Sequence, residues 1–249
     1  IKVIVSAPEV IRICNDKWET YQFCRKNGFL TPKTWLHLSD VKAALEAGEI
    51  SYPVIIKPRW GMGSIAIYQA ENAEELEVLT KKVTREIFRS YLRYESAFDE
   101  EECVLFQEMI HGQEHGLDVI HDLDGAWQLT VVREKIAMRS GETDCARVLS
   151  DERIASVGTA VGKALGHIGN LDMDVFVTED AVYVLELNAR FGGGYPFSHL
   201  AGVNLPKAII KWLSGEALTD ELVVKKTGLY AQKDIRMIDI TSCVKEDGK

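Results

Sequence analysis

Apolar positions along the chain recur with two periods. Trp18, Tyr21, Phe23 and Cys24 keep near-helical spacing behind Asn15 or Asp16, either of which can cap a helix, and Gly28 stops the run; a helix from about Asp16 to Lys26 is predicted. Val41, Ala44 and Leu45, with Ser39 or Asp40 as cap and Gly48 as stop, predict a second, short helix. Asn72 caps a segment, "NAEELEVLTKKVTREIFRSYLRYESAF", that keeps helical period for many turns, and "DERIASVGTAVGKALGHIG" and "LPKAIIKWLSG" predict two more helices. Strands are predicted at "KTWLHL", "YPVIIKP", "IAIYQA" and "VLFQEMI". "HGLDVIHDLDGAWQLTVVREKIAM" predicts a hairpin turning at Asp124-Gly125, and "LDMDVFVTEDAVYVLELN" predicts another. Short strands and a helix followed by long antiparallel hairpins predict an α+β fold of two lobes, not a doubly wound parallel sheet.

Bulk composition narrows the partners. At 249 residues the chain suits one large domain or two lobes sharing a cleft, and its 46% apolar and 27% charged content is that of a globular protein. A net charge of −9 argues against a nucleic-acid partner, so any phosphate ligand has to be met by a few local cations. With no apolar run of roughly 18 residues and no secretory signal, no membrane partner and a cytoplasmic location are expected. Cys14, Cys24, Cys103, Cys145 and Cys243 are scattered and never form CxxC, so reduced structural thiols are expected in place of disulfides or a zinc site.

Three glycine patterns compete for the chemistry. Gly61-Met62-Gly63-Ser64-Ile65-Ala66 fits the dinucleotide-binding spacing, but that motif needs a helix next, and here period two follows. Gly158 to Lys163 resembles a Walker A loop with one residue too few and no Ser/Thr after the lysine, inside a helical pattern. A kinase-type strand–loop–strand is nearer in shape, yet Lys57 precedes the loop and no HRD or DFG follows. What remains is either a plain glycine hairpin or a flap whose amides approach phosphate oxygens, with Lys57 supplying charge.

The second hairpin is acidic. Alternation puts Val182, Val184, Glu186 and Asn188 on one face, and Asp172, Asp174 and Phe176 on one face of the preceding strand. A turn centred near Glu179 would set Asp172 opposite Glu186. Converging carboxylates with an amide oxygen suit an octahedral Mg²⁺ that arrives with nucleotide phosphates; a polar face in solvent fits the same spacing. Arg190 lies two residues past Asn188 and precedes the flexible run Gly192 to Gly194. In "FQEMIHGQEHGLDV", backbone groups near Glu108 and Ile110 can meet an adenine edge, and Glu114 can accept from ribose hydroxyls.

Together "NDKWETYQFCRKNGFLTP", "PVIIKPRWGMGSIAI", "FQEMIHGQE" and "LDMDVFVTEDAVYVLELNARFGGG", in this order, resemble the ATP-grasp superfamily over roughly Asn15 to Gly215, with "RSGETDCARVLSDERI" similar to the carbamoyl-phosphate-synthase large-chain group. The resemblance implies an α+β ATP-grasp fold that clamps ATP between two lobes: residues 36–107 as the small lobe with the flap, 108–249 as the large lobe with a metal site, and 1–35 as a leading segment. It implies ATP with Mg²⁺, or Mn²⁺, as cofactors, and an ATP-dependent carboxylate–amine ligase that makes an acyl phosphate from a carboxylate or bicarbonate. Lys17 and Lys57 would contact phosphates, Gly61, Gly63 and Ser64 would form the flap, Gln107, Glu108 and Ile110 would line the adenine site, and Glu114 would bind ribose. Asp172 or Asp174, with Glu186 and Asn188, would hold the metal. Arg190, helped by Arg139, would act on the transferring phosphoryl group or the substrate carboxylate, so that Lys57, Arg190 and Arg139 form the catalytic set.

Such enzymes place an α/β domain before the first helix; only about fourteen residues stand there, and NAR replaces the NPR of many relatives. An absent or associating N-terminal domain, or a homodimer, is therefore expected alongside small carboxylate and amine or ammonia substrates. Phosphoryl transfer needs positioning and charge neutralisation more than a side-chain nucleophile, so His111, His115, His167 and His199 are expected to be structural or peripheral. A nucleotide-binding regulatory module, half of a split enzyme, or a purely structural domain are the alternatives.

Overall fold

The structure, a computed structural model, describes residues 3–61, 63–235 and 237, so Met62 and Cys243 lie outside it. Helices α1 (Pro8–Asn15) and α2 (Lys17–Lys26) meet at Asp16, and this residue rather than Asn15 is the cap: its carboxylate accepts from the Trp18 and Glu19 amides. The apolar lead into α1 carries a helix that the sequence pattern did not predict.

Four antiparallel strands form the first sheet in the order β1-β4-β2-β3, with β1 at Thr34–Trp35, β2 at Val54–Pro58, β3 at Tyr68–Ala70 and β4 at Val104–Glu108. Against it pack α3 (Leu38–Glu46), α4 (Ala73–Arg89) and the single turn α5 (Arg93–Ser96), burying Val41, Ile56, Leu76, Val83, Ile87 and Phe106. Helix α3 is capped two positions before Ser39, the nearer of the expected caps, with His37 at its N-cap; Ser39 spends its hydroxyl on Asp40. Helix α4 stops at Arg89, where Ser90 turns extended, so the long predicted helix is two.

Of the predicted strand "IAIYQA" only Tyr68–Ala70 pairs with β2. The preceding residues are a turn in which Ser64 and Ala66 take φ of 57° and 54°, which ends any pleat. The apparent alternation of Ile65 and Ile67 has another cause: both line the cleft described below.

Six antiparallel strands form the second sheet in the order β10-β7-β6-β5-β8-β9: β5 (Gln113–His121), β6 (Trp127–Arg139), β7 (Glu142–Leu149), β8 (Gly169–Val177), β9 (Val182–Asn188) and β10 (Tyr230–Gln232). Strands β7 and β10 were not predicted; β7 lies in the segment assigned only to the resemblance. The first hairpin turns at Asp122–Ala126, with Gly125 at φ 87°. Helix α6 (Glu152–Leu165) lies with α1 and α2 on one face, over Leu117, Val119, Val132, Leu171, Met173 and Val184. The Walker-like Gly158 to Lys163 is its interior, and an added Cβ at Gly158 would come within 2.5 Å of Leu117 Cδ2. On the other face α7 (Tyr195–Leu200), also unpredicted, and α8 (Leu205–Ser214) cover one end through Ile120, Val131, Val148, Tyr195, Phe197 and Leu205. The other end of that face is turned toward the first sheet.

The acidic hairpin differs from expectation in register. Asp174 pairs with Glu186 and Asp172 with Asn188, because the hairpin closes at Val177 and Val182, one position from the expected turn, and a bulge that leaves Leu185 without a partner adds another. The bulge also reverses the expected faces: Val182, Val184 and Leu187 are all buried, while Leu185 and Glu186 both line the cleft. Among the described residues, Cys14, Cys24 and Cys103 are buried free thiols and Cys145 is a half-buried one, and no helix is long and apolar enough to cross a membrane.

Candidate active site

A cavity of about 740 Å³ opens between the two sheets. The first sheet lines it with Lys57, Gln107 and Glu108, the flap with Gly61, Gly63 and Ser64, and α2 with Lys17. Ile110 enters from the crossover, and Glu114, Asp174 and Glu186 from the second sheet. Residues spread over about 170 positions thus converge. Asp172, Asn188, Arg190 and Arg139 are not part of this lining. Arg139 pairs instead with Asp144 and donates to the Lys233 carbonyl at 3.3 Å.

Lys57 sits at the floor, 5% exposed, its Nζ donating to Gln107 Oε1 at 2.8 Å. Gln107 in turn donates to Thr34 Oγ1 at 2.9 Å, which donates to the Pro32 carbonyl, so strand pairing of β1, β4 and β2 fixes the lysine through one chain of hydrogen bonds. The Gln107 side chain is thereby committed to Lys57. Burial, with the nearby Lys17, lowers the Lys57 pKa to about 8 against the opposing pull of Glu186.

Lys17 Nζ donates to the Gly61 carbonyl at 2.6 Å and stands 3.8 Å from Glu186. Gly61 is a required glycine: φ is 123° and an added Cβ would lie 2.5 Å from Leu92 Cδ2. The flap reaches the second sheet at the β6–β7 turn, where a Cβ on Gly141 would come within 2.6 Å of the Gly63 carbonyl.

Arg59 and Trp60, to which the sequence assigned no task, join the two halves of this arrangement. Arg59 donates to Asp16 Oδ1 at 2.9 Å and to Glu102 Oε2 at 3.0 Å, and its guanidinium lies 4.5 Å over the Trp60 ring. Asp16 and Trp60 also form a β-bridge. The cap of α2 is thus fastened to the strand that runs into the flap, which sets Lys17 beside Gly61.

Across the cavity Lys135, absent from the sequence-derived set, bridges Glu114 and Asp174 at 2.7 Å each. Burial opposes its charge, but Asp174 and Glu114 outweigh that and raise its pKa; burial raises that of Asp174 as well, against the pull of Lys135. Arg133, two residues earlier and 2% exposed, reaches Asp118 and Asp172. Both cations cross β5 at Gly116, which pairs with Arg133 on one side and Asp174 on the other; a Cβ there would meet Arg133 Nη2 at 3.3 Å and Lys135 Cε at 3.4 Å. A signal was present: basic residues two apart on β6 against Glu114 and Asp118 on β5. Only strand order shows that they serve β8 too.

Among the described residues no three His, Cys, Asp or Glu side chains form a metal cage by themselves. Asp174 and Glu186, paired across β8 and β9 and both facing the cavity, fit a hard divalent cation that takes its remaining ligands from phosphate oxygens and water.

A family model for the ATP-grasp domain matches residues 14–194. Among solved structures, the chain resembles the biotin carboxylase domain dimer of Hydrogenobacter thermophilus 2-oxoglutarate carboxylase, solved with MgADP, ADP and bicarbonate, at 22% identity over 88% of this chain and 49% of that one, TM-score 0.70. It resembles Campylobacter jejuni biotin carboxylase in a βγ-ATP complex at 23% identity over 89% and 50%, TM-score 0.72. D-alanine–D-alanine ligase of Bacillus anthracis matches at 20% identity over 84% and 69%, TM-score 0.62. The chain spans about half the length of the two carboxylase structures. The fold is the one these enzymes share, and with the family model covering most of its length the chain belongs to the ATP-grasp family.

Proposed function

We propose that the chain is the catalytic core of a Mg·ATP-dependent ligase that phosphorylates a carboxylate or bicarbonate and hands the acyl phosphate to an amine or ammonia, in the manner of carbamoyl-phosphate synthase. The observation that carries it is the meeting of Lys17 and Lys57 with Asp174 and Glu186 in one cavity roofed by a glycine flap. Adenine lies against Ile55, Ile110 and Phe176, with backbone groups of Glu108 to Ile110 at its edge, and Glu114 accepts from the ribose. Lys57, Lys17 and the amides of Gly61, Gly63 and Ser64 hold the phosphates. Asp174, Glu186 and Asn188 would hold Mg²⁺, which when bound neutralises phosphate charge. Arg190 orients the anionic acceptor.

The acceptor oxygen takes the γ-phosphoryl group and ADP leaves; the amine then attacks the acyl carbon and expels phosphate. Positioning and charge account for such a transfer without a protein nucleophile. The test is an ADP-release screen of carboxylic acids, amino acids and bicarbonate with amine donors. Glu186→Gln is expected to lower ADP release by about 100-fold, the scale of removing one preorganised electrostatic partner; full activity in that variant would overturn the metal assignment. Mg·ATP-dependent stabilisation without product from any acceptor would favour a binding module that does not turn over alone.

A further inference from the structure

Asp172, one of the two alternatives for a metal ligand, shares a face of β8 with Asp174 but lies outside the cavity lining, where two arginines meet its carboxylate. Its Oδ1 lies 3.7 Å from Arg133 Nη2 and its Oδ2 3.3 Å from Arg190 Nη1. Arg133 is held from beneath: Nη1 donates to Asp118 Oδ2 and, at 2.7 Å, to Ser198 Oγ, while Ser198 donates to the same Asp118 oxygen at 2.6 Å. Asn170 Nδ2 donates to Asp118 Oδ1 at 2.9 Å. Charges alternate from Asp118, 0% exposed, through Arg133 and Asp172 to Arg190, whose side chain is 46% exposed.

The glycine run after Arg190 is shaped around this ladder. A Cβ on Gly192 would overlap the Asp172 carboxyl group, and one on Gly194 would lie 2.7 Å from Arg133 Nη2. The loop backbone thus lies directly on the two inner rungs. An exposed arginine on a glycine-rich loop would otherwise sample many rotamers, each loss of which costs binding energy. A carboxylate paired with a buried guanidinium that Asp118 and Ser198 already hold removes that freedom beforehand.

We propose that Asp172 is a positioning residue: seated on Arg133 and Asp118, it sets the orientation of the Arg190 guanidinium and does not bind the metal. The use of Arg190 toward an anionic acceptor rests on the ligase proposal; its orientation by Asp172 does not.

Guanidinium rotation about Nε–Cζ, measured by NMR on protein labelled with ¹⁵N-arginine, reads the orientation directly, the Arg190 signal being the one lost in Arg190→Lys. Asp172→Asn is expected to speed that rotation about tenfold; an unchanged rate overturns the proposal. In a parallel Mg²⁺ titration at saturating ADP, followed by Tm, Asp172→Asn is expected to keep the Mg²⁺ midpoint within about twofold, whereas Glu186→Gln moves it by about tenfold. A shift in Asp172→Asn as large as that of Glu186→Gln overturns the proposal. If the unaltered protein shows no response to Mg²⁺ and ADP, the ligase proposal fails, and the rotation rate alone decides the role of Asp172. Asp172→Ser, which removes the charge with less bulk, carries the same expectations should Asp172→Asn not fold.

Discussion

Proton uptake on nucleotide binding gives a quantitative check on Lys57. Its folded pKa of about 8 means that burial and Lys17 together, net of the pull of Glu186, disfavour the charged amine by about 3 kcal/mol relative to water. Phosphate oxygens placed beside Nζ favour the charged form and lift the pKa well above its free value. A group whose pKa rises on binding takes up protons in the window between its free and bound values. From a free value of about 8, Lys57 is expected to take up about 0.1 proton at pH 7, about 0.5 at pH 8 and about 0.9 at pH 9. Titration calorimetry of Mg·ADP in buffers of different ionisation enthalpy measures total uptake. The difference between the protein and Lys57→Arg isolates this residue, because the protonation of Asp174 and its neighbours is common to both. A difference that stays flat from pH 7 to pH 9 would refute both the depressed pKa and the placing of phosphate against Lys57.

Gly192→Ala is expected to cost roughly 1–3 kcal/mol in urea unfolding, since the new methyl overlaps the Asp172 carboxyl group, and most of that cost should vanish in Gly192→Ala/Asp172→Ala. Asp16→Ala removes the α2 cap and leaves Arg59 half unpaired, so a loss of roughly 3 kcal/mol in denaturant stability is expected; a loss under about 1 kcal/mol would mean that the fastening contributes little. His167 and His121 stack at 4.0 Å in the core, and burial lowers the His167 pKa to about 4. The unfolded chain therefore binds the extra proton, with its pKa near 6.5, and stability should fall as pH drops from about 6.5 toward 4 and level off below, by up to about 3 kcal/mol from this ring. His167→Gln should make that acid limb shallower, as read from urea midpoints across the range; an unaltered slope would assign the limb to other groups.

Local pattern carried the elements whose cause is local. Asp16, Asn72, Asp151 and Asn204 each cap a helix with their own side chain, and Gly166 and Gly215 end two in left-handed conformation. The hairpin turn at Asp122–Ala126 and the antiparallel pairing of β5 with β6 and of β8 with β9 were readable for the same reason. Strands β7 and β10 were not, because edge and near-edge strands of mixed polarity take their pairing from distant neighbours, and the "IAI" alternation misled because cleft-lining residues imitate a pleat.

The candidate site divides along the same line. Lys57, the flap glycines, Glu186 and the acidic pair on β8 are marked by residue type and spacing, which left a plain hairpin equally open; the chemical class came from the family resemblance that these segments carry in their order. Asp172 and Asp174 share a face of β8, and it is position along the strand that sets Asp174 in the cavity and Asp172 beside Arg133 and Arg190; the bulge at Leu185 decides which β9 residues stand opposite them. Lys135 and Arg133 acquire their carboxylates only once β6, β5 and β8 lie side by side with Gly116 between them. Arg59 and Trp60 became intelligible only when Asp16, over forty positions away, was brought against them. Residue type and short-range period are properties of a segment; the partner of a charge is a property of the packed chain, and only the tertiary structure decides it.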